Sequence, residues 1–269
     1  MDNTIEQYKN WLTVNGQSSS TVYLYCQRIE KILKIISIDN LTEESISNYL
    51  LSIKDQFKPS TVNGYRDAIY SFLKFLKKNI TIPGHLKIAH MLPKYIEEKY
   101  FIKKIVPEID NTFRNGLKVK TLLYFMFYTG IRVSEIECLE RKNFDLENRT
   151  VKIYIPKTRE ERIVIYTAEV RDFLKVYFSM EAEEKNAFNM STTAVKATFD
   201  RLKIKFDDIN LHPHLFRHSF ATMLLKKGMN YAVISRLLGH HSFQTTMRYL
   251  GLDTETTKKQ YDDAQKTIL

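Results

Sequence analysis

Between positions 211 and 250 the chain reads LHPHLFRHSFATMLLKKGMNYAVISRLLGHHSFQTTMRYL, a stretch that gathers His214, Arg217, His240 and Tyr249. Held together on short helices, two histidines, an arginine and a tyrosine make a site for an anion and a nucleophile, with no carboxylate among them. The chemistry this suggests is phosphoryl transfer. Pro213 suits the first position of a helix and Gly228 the left-handed cap that ends one, which predicts a helix over roughly 213–227. At about 100° per residue, His214 and Arg217 share one face while Phe216, Phe220 and Met223 point the opposite way. The apolar face is expected inside and the His/Arg face offered to a ligand. A second helix starts at Asn230, buries Val233, Ile234, Leu237 and Leu238, and stops at Gly239, immediately before His240.

Two more cations stand where they can join this group. Arg132 follows Thr129-Gly130 at the start of a predicted helix striped by Val133, Ile136 and Leu139. An arginine in a first helical turn opposes the helix dipole. A bound phosphate would remove the conflict, gripped by backbone N–H groups and guanidinium together; pairing with Glu135 or another acid is the alternative. Segments 151–155 and 162–166 alternate with period two around Pro156-Lys157-Thr158-Arg159-Glu160-Glu161, which predicts a β-hairpin. Lys157 then sits near the tip, where its ammonium either reaches a neighbouring site or is solvated.

The elements that must position these residues are mostly helical. Tyr8, Trp11 and Leu12 mark a first helix, stopped by Asn15-Gly16. Ser18, Ser19 and Ser20 cap a second through Val22, Tyr25, Ile29, Ile32 and Leu33. Thr42, followed by Glu43 and Glu44, starts a third through Ile46, Leu50 and Ile53, and Lys58-Pro59-Ser60 opens a fourth through Ile69, Phe72, Phe75 and Leu76. Short loops between four such helices make a bundle. The pattern loosens toward Pro83-Gly84 and Pro93, so the expected division is a bundle over 1–82, a linker over 83–93 and a second domain over 94–269. In that domain TLLYFMFY, 121–128, is apolar on all sides and reads as a buried helix. The fold class expected is mainly α with a small β-sheet, an N-terminal helical bundle followed by a mixed α/β domain.

Composition narrows the partners. With 41 Lys and Arg against 31 Asp and Glu, the 269-residue chain carries a formal charge of +10, which favours a polyanionic partner. On the fourth helix Lys58, Ser60, Thr61, Asn63 and Arg66, and on the hairpin turn Arg159, can face DNA phosphates or be solvated. The apolar run 122–128 is far too short to span a bilayer and the N-terminus has no signal-peptide pattern, so a cytoplasmic protein without membrane contact is expected. Cys26 and Cys138 make no metal or disulfide spacing and read as reduced core cysteines. His218 lies one turn after His214, but no third ligand has a convincing spacing, so no metal is expected.

With these residues in place the chain resembles the tyrosine recombinases of the phage-integrase type, and in size their compact Xer-like members. TGIRVSEI is similar to the family's first-arginine box, HPHLFRHSFAT to its His-x-x-Arg box, and LLGHHSFQTTMRY to its closing box. The resemblance implies a core-binding helical domain and a catalytic domain whose C-terminal tail is exchanged with a neighbouring copy. It implies Tyr249 as nucleophile, Arg132 and Arg217 on the non-bridging phosphate oxygens, and Lys157 as proton donor to the leaving 5′ oxygen. His214 would act in proton transfer or as a phosphate donor, and His240 as a further donor. Lys157 departs from the family pattern, standing between Pro156 and Thr158 where glycines often flank the lysine. His241 and Tyr261 read as a surface and a packing residue.

The activity so implied is site-specific recombination: a 3′-phosphotyrosyl intermediate, a homotetramer on two duplexes at paired specific sites, a four-way junction, and no cofactor, metal or ATP. The alternatives are a catalytically silent DNA-binding regulator of the same fold and a type IB topoisomerase-like enzyme. The target sequence and the task, chromosome dimer resolution or mobile-element integration, stay open. So does the need for a partner recombinase or accessory protein.

Overall fold

The structure, a computed structural model, describes residues 2–88, 94–155, 160–180, 186–206 and 208–239. It is mostly helical with one small antiparallel sheet, the class expected, and it divides into two compact units, Met1–His90 and Met91–Leu269.

The N-terminal unit contains α1 (Asp2–Val14), α2 (Ser19–Leu33), α3 (Glu43–Lys54) and α4 (Pro59–Phe75). The caps that start them are local. Ser18 accepts from the Thr21 N–H, and Thr42 and Ser45 satisfy each other's backbone in a capping box. The apolar stripes close on one core, with Tyr8, Leu12, Ile29, Ile46, Ile69 and Phe72 fully buried. Beyond α4, residues 78–88 take no regular structure, and Ile80, Ile82 and Leu86 pack on the bundle. The Asn63 amide pairs with both backbone groups of Leu86, at 3.0 and 2.8 Å.

The C-terminal unit opens with α5 (Glu98–Tyr100), a π-helical turn at Phe101–Ile105 and α6 (Val106–Thr112), followed by α7 (Gly116–Thr129), which is buried on all sides as its apolar run predicts. Gly130 ends α7 at φ 60°, where a β-carbon would come within 2.6 Å of Phe220 and 2.8 Å of Leu238. The helix expected after it is a 3-10 helix, Val133–Cys138, with Arg132 in an extended conformation just outside. Its tight first turn is closed by the Glu135 carboxylate, which accepts from the Arg132 backbone N–H at 2.8 Å.

Strands β1 (Phe144–Asp145), β2 (Thr150–Ile155) and β3 (Glu160–Ile165) form an antiparallel sheet in that order. Ile153 pairs with Arg162 and Val151 with Val164. The remaining α-helices among the described residues are α8 (Ala168–Met180), α9 (Thr192–Lys203), α10 (Pro213–Lys226) and α11 (Tyr231–Leu238). Of the stripe expected on α11, Ile234 and Leu238 are buried while Val233 faces outward, because a helix of two turns buries only the side that meets Phe220, Ala221 and Leu225 of α10. Cys26 is buried and Cys138 partly exposed, and both are free thiols. Among the described residues no helix is long and apolar enough to cross a membrane.

Candidate functional site

The site is built around the C-terminal end of α11. A helix end leaves its last carbonyls without intrahelical partners and carries partial negative charge. Here three successive carbonyls are each taken by a different arginine. Arg162 Nη1 donates to Leu237 O, Arg217 Nη2 to Leu238 O and Arg132 Nη2 to Gly239 O, each at 2.6 Å. Arg217 also donates through Nη1 to Gly130 O at 2.6 Å, so its guanidinium lies between the ends of α7 and α11.

This position corrects the expectation that the His/Arg face of α10 points outward. Arg217 is only 4 % exposed and α10 is buried on most of its surface, with Leu215, Phe216, Ser219, Phe220, Ala221 and Thr222 all inside. At about 100° per residue Arg217 lies only about 60° from Phe220, so it shares the buried side of α10, where the ends of α7 and α11 cover it. His214, one turn earlier, remains at the surface. Partial burial and the positive charges of Arg217, Arg132 and Lys196 hold its pKa below the usual histidine value, which keeps the ring neutral at pH 7. His212 caps α10, its Nδ1 accepting from the Leu215 N–H at 3.1 Å.

One carboxylate sits among the arginines. Glu135 is 2 % exposed, with Oε1 3.0 Å from Arg132 and Oε2 2.5 Å from Arg162. Burial opposes its charge, but the Arg162 guanidinium first, and Arg132 after it, bring its pKa below the ordinary carboxylate value. The pairing with Glu135 weighed for Arg132 is therefore present, and it does not neutralise the site. Among the described residues, three guanidinium groups against one carboxylate leave a net of two positive charges. Arg132 is still 32 % exposed, and its bonds to Glu135 and Gly239 aim the guanidinium while leaving part of it open to a ligand.

The structure thus brings Arg132, His214 and Arg217 together around the end of the helix that precedes His240. Lys157, Arg159, His240, Tyr249 and the tail lie outside the described residues. In the N-terminal unit Lys58 and Ser60 are exposed and Thr61 is half-buried at the start of α4. Asn63 is corrected from a surface contact to a buried one, because its amide is spent on Leu86. Arg66 is likewise drawn inward, donating to Pro83 O at 2.7 Å and pairing with Asp67 at 3.3 Å.

Sequence reasoning missed Arg162. Its strand carries apolar residues in both phases, Val164 in one and Ile163 with Ile165 in the other, so alternation did not say which face was inside. Among the described residues no group of three or more His, Cys, Asp or Glu side chains is placed to hold a metal ion.

The sequence pattern of the phage integrase family matches residues 94–256, well over half of the chain. The chain belongs to the phage integrase family. The pattern of that family's N-terminal SAM-like domain matches residues 5–91. Among the similar proteins, the tyrosine recombinase XerA of Saccharolobus solfataricus is 28 % identical over 94 % of this chain and 89 % of its own length. The tyrosine recombinase XerC of Chlamydia muridarum is 28 % identical over 97 % of this chain and 89 % of its own. The solved structure of the Tn1549 transposon integrase in complex with transposon right end DNA covers 97 % of this chain and 99 % of that one at a TM-score of 0.76 and 17 % identity, a likeness of fold. The recombinase is accordingly an enzyme of site-specific DNA recombination that breaks and rejoins DNA strands.

Proposed function

We propose that Arg132 and Arg217, at the end of α11, hold one DNA phosphodiester and that Tyr249 attacks it. The observation that carries this reading is the anchoring of Arg132 and Arg217 on adjacent carbonyls, Gly239 and Leu238, of the helix that runs directly into His240. Two guanidinium groups fixed to one helix end form a rigid cationic surface suited to two non-bridging oxygens, and they need no rearrangement as charge builds on the pentavalent transition state. Tyr249 Oη forms a bond to phosphorus while the bond from phosphorus to the 5′ oxygen breaks, which leaves a 3′-phosphotyrosyl link. The phenolic proton passes to His214, whose ring is neutral and so able to accept it, and Lys157 gives a proton to the departing 5′ oxygen. His240 adds a hydrogen bond to the phosphate. Attack by that 5′ hydroxyl, or by one from a second duplex, reverses the step without metal or ATP because the phosphotyrosyl link keeps the bond energy.

Around this chemistry stands the assembly that the family resemblance implies. Lys58, Ser60, Thr61 and Arg159 face DNA, the chain is a monomer in solution, and four copies act on two duplexes at paired sites through a four-way junction. The tail after Tyr249 is exchanged between copies, and the protein works in the cytoplasm. The deciding experiment is covalent trapping in EDTA on nicked duplexes drawn from DNA flanking the gene. A protein–DNA adduct formed by wild type and absent from Tyr249→Phe is expected. Specific retardation on a native gel with no adduct at any site would instead favour a DNA-binding regulator.

A further inference from the structure

Strand β3 turns Val164 inward and Ile163 and Ile165 outward, so Arg162 occupies a core-facing strand position. A guanidinium there is unfavourable unless its charge and donors are met. Its charge and two of its donors are met on two other elements: Nη2 lies 2.5 Å from Glu135 Oε2, and Nη1 donates to Leu237 O at 2.6 Å, while the buried Nε has no hydrogen-bond partner among the described residues. The side chain is 12 % exposed and Glu135 only 2 %, so the pair is shielded from water and its geometry is strongly determined. Gly239 closes the arrangement, since a β-carbon there would come within 3.1 Å of Arg162 Cδ. The other oxygen of the same carboxylate holds Arg132. Anchored at one end to α11, Arg162 therefore sets where Glu135 stands, and Glu135 sets where the Arg132 guanidinium points.

We propose that Arg162 is a positioning residue for strand cleavage: pinned to Leu237, its guanidinium fixes Glu135 and through it aims Arg132 at the scissile phosphate. The inference rests on the phosphate-binding role proposed for Arg132. Lysine cannot replace it, because a point charge does not span a carboxylate and a carbonyl as the planar fork does.

The test is single-turnover cleavage of a nicked duplex, with the DNA dissociation constant and the melting temperature measured on the same preparations of full-length protein. Arg162→Lys is expected to bind DNA within about twofold of wild type and to cleave at least about tenfold more slowly. In an Arg132→Lys background the same change is expected to cost less than about threefold, because the residue it aims is already altered. A merely structural role would give equal losses in both backgrounds, and that result, or cleavage by Arg162→Lys at the wild-type rate, overturns the proposal. Should Arg162→Lys not fold, Arg162→Met combined with Glu135→Leu removes both buried charges. It is expected to fold and cleave slowly; a wild-type rate, or failure of this variant to fold as well, assigns Arg162 to stability alone and overturns the positioning role. Absence of any adduct from wild type itself overturns the proposed function, and the inference with it, before an Arg162 variant is made.

Discussion

The two units are both helical, yet they treat buried polarity in opposite ways. In the N-terminal unit the core is made of stripes such as Ile29, Ile46 and Phe72, and the buried amide of Asn63 is satisfied by the backbone N–H and C=O of one residue, Leu86. The C-terminal unit buries the charges of Glu135 and Arg217 and satisfies them with groups from distant helix ends and strands. An apolar bundle asks only that side chains face inward. A buried charge asks for partners at set places, so it is retained where the precision of a site depends on it.

That contrast gives variants that break or sharpen it. The largest effect is expected from Arg217→Ala, which leaves Gly130 O and Leu238 O without their donor. Unfolding free energy should fall by about 3–5 kcal/mol in denaturant melts. Where the variant still folds, cleavage should drop about 10²- to 10³-fold. A variant with wild-type stability and rate would mean that the buried charge has no such function.

Glycine caps provide a matched pair. Gly130 and Gly16 both take left-handed backbone, at φ 60° and 76°, but only Gly130 is crowded by Phe220 and Leu238, while nothing lies within 4 Å of a β-carbon on Gly16. Gly130→Ala is expected to cost about 3 kcal/mol, from backbone strain and overpacking together, and Gly16→Ala about 1 kcal/mol. Equal costs would show that the end of α7 is no tighter than a surface turn.

Next comes Asn63→Ala, with about 2 kcal/mol lost as the Leu86 peptide loses both partners. DNA affinity of the folded variant should not change. Lys58→Ala should do the reverse, leaving stability within about 0.5 kcal/mol while lowering the salt slope of DNA binding by about 1. If Asn63→Ala weakens binding as Lys58→Ala does, the buried assignment of Asn63 fails.

The smallest effect is that of pH. The folded-state pKa values of His212 and His214 are depressed, chiefly by burial, so between their folded values and the ordinary histidine value the unfolded chain binds more protons. Stability of the C-terminal unit should be undiminished by these groups above about pH 6.5 and decline as pH falls below it. His212→Gln with His214→Gln should flatten that decline. An unchanged decline in the double variant would place its origin elsewhere.

Much of the fold was legible because its signals are local. Ser18, Thr42, Pro59, Pro213, Gly130 and Gly239 mark ends through the bonds that their own backbone or side chains make, and the stripes of α2, α3 and α4 mark the buried face. The site was legible in part. The boxes single out Arg132, His214 and Arg217, which the structure brings together, whereas Arg162 escapes the pattern, since its neighbours are apolar in both phases of β3. Asn63 and Arg66 share a polar face of α4 that reads as surface, and nothing in the helical period shows that residues 83–86 cover it.

The sequence by itself determined the family, most of the helices and their ends, and which residues of an element share a face. Tertiary structure alone decided which groups meet there. Arg162 and Leu237 are 75 residues apart, and Arg217 and Gly130 are 87 apart. Periodicity specifies the direction of a side chain relative to its own helix or strand. The partner it finds depends on how remote elements pack, and only the folded chain places three arginines on the three carbonyls at the end of α11.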